Sequence, residues 1–362
     1  MRTPIPRIYL GSMTFAWSGQ TSSVVDESVA LAMVQKFLQF QETSDNDKVP
    51  LLDTARVYAG GKTELMVGAV LDKLSVSDSK SSIVVGSKAN PALPGGLSRK
   101  GIQEQLATSL DAMALSSLGE YYLHQPDTEH SLLESLQCID ELIHQQDKPI
   151  ASLGMSNYHA VEMERAFTLC QEHNLTPPTV YQGLYNPLNR LVEDELLPVL
   201  HKHNCQFVAY NPLAAGLLTG KHLQQGNGVV PAGRFKDNPN YLPRFYTDAN
   251  FQAVQLIDQA CQKEGISMVE ASYRWLLRHS QLRPQIDGIL IGASSLTQLD
   301  ENLDSCTAAA TQGPLSDQLL EAFDQAWELT QKEGAFPYWR SYSADFPNRE
   351  SLHPGASYTV KK

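Results

Sequence analysis

None of the apolar runs in these 362 residues approaches the length of a membrane span. The stretch Met1–Trp17 sets Arg2 and Arg7 among short apolar steps, without a continuous apolar segment or a small-residue cleavage site, so it does not read as a signal peptide. Basic residues are scarce: 28 Lys and Arg face 40 Asp and Glu, a net charge of −12, and they form no cluster. A nucleic-acid or anionic-membrane surface needs such a stripe, so neither partner is expected; a small anionic ligand held by a few local arginines is still allowed. The five cysteines (Cys138, Cys170, Cys205, Cys261, Cys306) are scattered, odd in number and lack any CxxC spacing, which fits reduced thiols. Also missing are a GxGxxG after a strand, a GxSxG elbow and an HExxH helix, which removes the usual signatures of a Rossmann site, an α/β-hydrolase and a zinc protease. His201-Lys202-His203 lies at a helix end without a third ligand, so no metal is expected. The expectation is a cytoplasmic globular protein.

What is present is regular alternation. Short apolar runs rich in β-formers fall at Ile8–Met13, Pro50–Thr54, Ser82–Lys88, Glu120–His124, Ile150–Met155, Thr179–Leu184, Gln206–Tyr210 and Gly288–Gly292. Amphipathic stretches separate them: Asp26–Gln39, Lys62–Leu74, Lys100–Leu115, Leu132–Gln145, Ala160–Glu172 and Leu191–His203. Strand–helix alternation means βαβ units and a parallel sheet, and eight unbroken units predict one closed (β/α)₈ barrel; an open doubly wound sheet is the alternative. The interval after the seventh run is the longest. It holds a polar loop, Gln224–Arg244, and helical patterns near Asn250–Lys263 and Met268–His279; Leu296–Cys306 and Ser316–Gln331 follow the eighth run. The barrel is expected to span 1–340. The remaining 341–362 is polar and aperiodic, and a partly disordered tail is expected there.

Polar residues stand where the runs end: Asp53, Lys88, His124, Ser156-Asn157, Gln182, Tyr210-Asn211 and Ser294-Ser295. In a barrel all these ends share one rim, where active sites form. Taken singly, Asp53 could be a cap, Lys88 a snorkelling surface residue, His124 a bonded loop histidine and Tyr58 packing. Together they form a proton-delivery set for a carbonyl. A phenol titrating near 10 exchanges protons poorly at neutral pH. An adjacent ammonium (Lys88) eases that exchange, a carboxylate (Asp53) holds the ammonium, and His124 orients the carbonyl oxygen. A Schiff-base aldolase using Lys88 is a competing reading, though it leaves the other motifs unused.

Several segments resemble the aldo-keto reductase superfamily, in order and over nearly the whole chain through Arg340. Leu52–Glu64, with Asp53 and Tyr58, is similar to the family's catalytic signature, and Leu153–Tyr158 to its nicotinamide-amide motif. Tyr210–Lys221 is similar to its pyrophosphate loop and Gly292–Leu303 to its adenosine-phosphate segment. Pro178–Asn186, Gly233-Arg234-Phe235 and Ala322–Trp327 place the closest resemblance in the aflatoxin-aldehyde reductase group.

The resemblance implies NADPH/NADP+ as cofactor, reduction of aldehydes including dialdehydes and carboxylated semialdehydes, and often a homodimer. It implies Tyr58 as proton donor, tuned by Asp53 and Lys88, with His124 orienting the substrate. Met13 and Asp53 would contact the cofactor, Ser156, Asn157 and Gln182 would hold the nicotinamide amide, and Tyr210 would lie against its ring. Asn211, Pro212, Leu213, Gly216, Leu217 and Lys221 would meet the pyrophosphate, and Arg234, Ser294, Ser295, Gln298 and Asn302 the adenosine end. Tyr241, Arg244 and Arg340 match substrate-contacting positions. The chain departs from the pattern at Ala215, where glycine is usual, at Pro243 beside Arg244, and in continuing past Arg340. A cofactor-binding regulatory subunit is the non-enzymatic reading that the same resemblance allows.

Overall fold

Runs such as Ile289-Leu290-Ile291 and Val84-Val85 are too short for a stable helix and rich in residues that pack on a pleated surface, so they pair as strands. The computed structural model describes residues 2–17, 21, 23–44, 49–76, 83–223, 230, 234–236, 238 and 241–356. Its elements run β1 (Arg7–Gly11), α1 (Glu27–Thr43), β2 (Leu51–Asp53), α2 (Lys62–Val76), β3 (Val84–Ala89), α3 (Arg99–Met113), β4 (Leu118–Leu123) and α4 (Leu132–His144). Then come β5 (Ile150–Ser156), α5 (Ala160–Glu172), β6 (Val180–Leu184), α6 (Leu196–Lys202), β7 (Gln206–Tyr210), α7 (Leu242–Phe245) and α8 (Asp248–Glu264). The order closes with α9 (Met268–Arg278), β8 (Gly288–Ile291), α10 (Leu296–Thr311) and α11 (Asp317–Lys332). Each strand pairs in parallel with the next, and β1 pairs with β8, so the sheet is a closed barrel. This is the (β/α)₈ architecture expected from the alternation.

The barrel interior decides where chemistry goes. Tyr9, Leu51, Tyr122, Val180 and Val208 form a buried cluster apart from the larger core between sheet and helices. Strand side chains alternate between faces, so the residues two further along share the inward direction. From Leu51, Tyr122, Val180 and Val208 that step leads to Asp53, His124, Gln182 and Tyr210. The inward row is thus apolar at this layer and turns polar at its C-terminal rim. Gly154 belongs to this layer for steric reasons: a Cβ there would stand 2.3 Å from the Tyr122 ring.

Several boundaries differ from the sequence expectation. β1 stops at Gly11, because Ser12 bonds both its N–H and its hydroxyl to the Asp53 carbonyl and turns the chain outward. The helix expected at Leu191–His203 shrinks to α6, since a wide turn closed by Leu197 N–H on Val192 occupies its first residues. Ser82 and much of the expected loop 224–244 lie outside the described residues; the loop's last part contains α7, which starts with Pro243 in its first turn.

The tail differs most. Ser341–Ala356 lies against the barrel: Ala344 N–H donates to the Asp127 carbonyl and Ser343 N–H to Glu162. Asp345 accepts from Ser131 and from Leu132 N–H at the start of α4 and pairs with Arg165. Disorder does not hold for this part, because aperiodic polar sequence can still be ordered by side-chain bonds to a preformed surface. Residues 357–362 lie outside the described residues.

Candidate active site

Lys88 and Asp53 are fully buried at the rim of the barrel. The ammonium donates to both Asp53 oxygens, at 2.7 and 2.6 Å, and to the Thr54 carbonyl at 2.7 Å. All three of its protons are therefore engaged. Asp53 also accepts from the Gln182 amide at 2.9 Å, which ties β2, β3 and β6 into one network. Burial lowers the Lys88 pKa, while Asp53, Glu120 and Glu64 oppose that shift.

Tyr58 stands on the loop after β2, where Ala59 and Gly60 take left-handed conformations. Gly61 follows at φ +92°, and any Cβ there would overlap the Arg56 guanidinium. Arg56 in turn pairs with Glu64, which accepts from Ser87 at 2.6 Å, so the loop is bolted to β3. Lys88 Nζ lies 5.4 Å from the centre of the Tyr58 ring. Burial pushes the Tyr58 phenol well above its ordinary value, and Asp53 adds to the rise. The easing expected from Lys88 is thus outweighed, and Tyr58 is held as the protonated phenol.

His124 lies edge-on to Tyr58, with ring centres 6.0 Å apart. Its pKa is pushed well down by burial and further by the Lys88 and Arg340 charges, so the imidazole is neutral. Asn157 anchors this corner. Its amide donates to the His124 carbonyl at 2.8 Å and to Ser156 at 2.9 Å, and it accepts from the Tyr210 hydroxyl at 2.9 Å.

One cleft of about 1280 Å³ opens over these groups. Met13, Asp53, Tyr58, His124, Ser156, Asn157, Gln182 and Tyr210 line one part of it; Asn211, Pro212, Leu213, Gly216, Lys221, Arg234, Ser294, Gln298 and Asn302 line another. Lys88 lies beneath, bonded to Asp53. Two expected contacts are not brought to the cleft wall. Ser295 spends its hydroxyl capping α10 through Gln298 N–H at 3.3 Å, and the Leu217 side chain is buried in the core. The turn at Ala214–Gly216 has positive φ throughout (48°, 57° and 108°), which is why glycine suits position 215 and why Ala215 is strained there.

The expected substrate residues also reach the cleft. Tyr241 lies beside Met13, with its hydroxyl 3.9 Å from the sulfur. Pro243 does not displace Arg244, because proline fits the first turn of α7; the guanidinium stacks 4.4 Å above the Phe336 ring. Arg340 donates to Gln125 at 2.6 Å, and its own N–H donates to the Asn157 carbonyl. The sequence reading missed Trp17, whose ring centre is 6.1 Å from that of Tyr58, together with Gln125 and Asn90. Asn90 directly follows β3 and Gln125 stands one residue past His124, so strand-end position could have marked both; Trp17, six residues past β1, carried no such signal.

A sequence model of the aldo/keto reductase family matches residues 7–328. Similar proteins include aflatoxin B1 aldehyde reductase member 2 of Rattus norvegicus, 36% identical over 92% of this chain and 90% of that protein. Aldo-keto reductase family 7 member A3 of Homo sapiens is 37% identical over 85% of this chain and 92% of its own length. Oxidoreductase sirO of Leptosphaeria maculans is 31% identical over 83% and 88% respectively.

Proposed function

We propose, from the premise that this chain belongs to the aldo/keto reductase family, that it is an NADPH-dependent reductase of aldehydes with Tyr58 as proton donor. Carbonyl reduction by an oxidoreductase is the family's chemistry; the cofactor's phosphate, the roles of the residues and the substrate class are the proposal.

The donor set fits a dinucleotide phosphate. Desolvation lowers the Lys221 pKa and the Arg234 charge lowers it further, so the two cations face each other where an anion would relieve both. Arg234, Ser294, Gln298 and Asn302 would hold the adenosine phosphate, Lys221 and the Asn211–Gly216 backbone the pyrophosphate, and Ser156, Asn157 and Gln182 the nicotinamide amide. When bound, NADPH supplies the hydride to the carbonyl carbon.

The protein's own residues handle the proton. A neutral His124 can offer a hydrogen bond to the carbonyl oxygen but has no spare proton to give. Tyr58, held as phenol, therefore transfers its proton to that oxygen and is left as phenolate. Lys88, fixed by Asp53, sits near enough to favour the phenolate until solvent restores the proton. A Schiff-base role for Lys88 is disfavoured by its full burial and its three occupied donors. Arg244 and Arg340 on the cleft wall support aldehydes that carry a carboxylate, dialdehydes being a second class. The same reading carries a homodimer and a cytoplasmic location, open to sedimentation and to cell fractionation.

The observation that carries the proposal is the Asp53–Lys88 pair beneath Tyr58 and His124 in the cleft that also holds Lys221 and Arg234. The test follows NADPH consumption with short aldehydes. Tyr58→Phe is expected to lose about 10²–10⁴-fold in single-turnover rate while binding NADPH with unchanged affinity by fluorescence titration. Wild-type turnover in that variant removes Tyr58 from the role, and equal affinity for NADH and NADPH removes the cofactor assignment.

A further inference from the structure

The loop after β3 carries a polar side chain that the roles above do not use. Asn90 is buried beside His124, and its amide nitrogen lies 3.2 Å from His124 Nδ1. Which end of an amide faces a neighbour is normally open, but here it is fixed. The Asn90 Oδ1 accepts the Ala92 N–H at 2.9 Å, and the reversed amide would set two donors against each other. The NH₂ group therefore points at His124, and Nδ1 must be the ring nitrogen without a proton. In a neutral imidazole the proton then resides on Nε2.

Asn90 is itself held from α3. Gln105, also buried, accepts the Asn90 N–H at 2.8 Å and donates to the Asn90 carbonyl at 3.3 Å and to the Gly96 carbonyl at 2.9 Å. Both backbone polar groups of Asn90 are gripped by one side chain, so the amide cannot swing away from the ring. The His124 backbone is fixed separately, through its N–H on the Ala89 carbonyl and its carbonyl under Asn157.

We propose that Asn90 is a positioning residue that fixes His124 in the Nε2–H tautomer, with Gln105 as the clamp that holds Asn90 in place. The inference deepens the reading above, which needs His124 as a neutral donor to the carbonyl oxygen. A histidine in the opposite tautomer would present a bare Nε2 lone pair to that oxygen and repel it.

Asn90→Asp tests this with little change of shape. The carboxylate still accepts the Ala92 N–H, so the loop is preserved, but its second oxygen faces Nδ1 as an acceptor. The proton then moves to Nδ1, or the ring becomes cationic beside the new charge. The groups facing the ring are Lys88 on β3, Tyr58 after β2 and Arg340 after α11; the two cations oppose protonation and the new carboxylate favours it. Below the new His124 pKa the cation can still donate from Nε2. Above it the remaining proton stays on Nδ1 and donation is lost.

The experiment records ¹⁵N spectra of ring-labelled histidine in the full-length protein, with kcat/KM against pH. Wild type should show a neutral Nε2–H ring and no step from His124. Asn90→Asp should show Nδ1 protonation and a kcat/KM that falls as pH rises, by roughly ten- to a hundredfold at the alkaline end. An Nδ1–H ring in wild type, or an unchanged tautomer in Asn90→Asp, overturns the proposal. If the tautomer switches as described but wild type reduces no aldehyde, the positioning stands and the functional reading fails.

Discussion

Arg340 shows how much of a site rests on single side chains placed by distant sequence. Its guanidinium lines the cleft and is steered by Gln125, 215 residues away. A carboxylate arriving there would meet a preoriented fork able to form two parallel bonds. Arg340→Ala should therefore lower kcat/KM for a carboxylated aldehyde by about ten- to a hundredfold and leave its neutral isostere nearly unchanged; an unaltered charged-to-neutral ratio means that Arg340 is no anchor. Asp53, Lys88 and His124 were legible because each ends an apolar run, and Gln182 because it is the polar side chain within one; strand alternation carries these positions into the barrel. Asn90 and Gln125 stand just past β3 and β4 and could have been marked by the same rule, whereas Trp17 lies on the loop after β1 and could not. Ala215 was visible only as a missing glycine; its left-handed φ of 57° supplies the reason.

At the scale of elements, periodicity located every strand, but boundaries were decided by bonds that periodicity does not encode. Ser12 ends β1, and the Val192–Leu197 turn shortens α6. The tail was the largest departure, because its order comes from partners 180 or more positions distant in the chain. Asp345 caps α4 by accepting from Leu132 N–H at 2.9 Å and from Ser131 at 2.8 Å, and it pairs with Arg165 at 2.6 Å. Pro354 and Ala356 then reach the cleft wall, where Ala356 N–H donates to the Trp339 carbonyl. Losing a cap of this kind costs about 0.5–2 kcal/mol. Asp345→Ala should lower stability by that order in urea unfolding and speed hydrogen exchange at Ala344 and Ala356. Unchanged protection at both amides would mean that the tail is held without Asp345.

The whole molecule combines an acidic surface with carboxylates sealed inside it. Glu120 points into the barrel, bonded by the Tyr122 hydroxyl at 2.5 Å, and burial pushes its pKa up to about 7. Glu162 lies under the tail, where burial likewise raises it to about 7; one of its oxygens accepts Ser343 N–H, and the other has no hydrogen-bond partner among the described residues. Both folded-state values lie above the ordinary 4.5, so folding favours the protonated forms. Their contribution is fully present below about pH 4.5 and is lost as pH rises through about 7. Asp345 acts in the opposite sense. Its bonds hold its pKa down to about 2, so its contribution is present above its ordinary value of 3.8 and fades as pH falls toward 2. The net charge of −12 adds self-repulsion on the alkaline side. These two glutamates therefore lower stability as pH rises from about 4.5 to 7, whereas His124 and His222, pushed below their ordinary 6.5 by burial, add stability as pH rises over much of the same range. Glutamine keeps the acceptor for Ser343 N–H and for the Tyr122 hydroxyl without the titration. Glu162→Gln should thus gain roughly 1–3 kcal/mol at pH 8, with little change at pH 5, and adding Glu120→Gln should raise the alkaline end further. Thermal unfolding from pH 5 to 8 decides the matter, and a double variant with the wild-type slope would place the pH dependence elsewhere in the molecule.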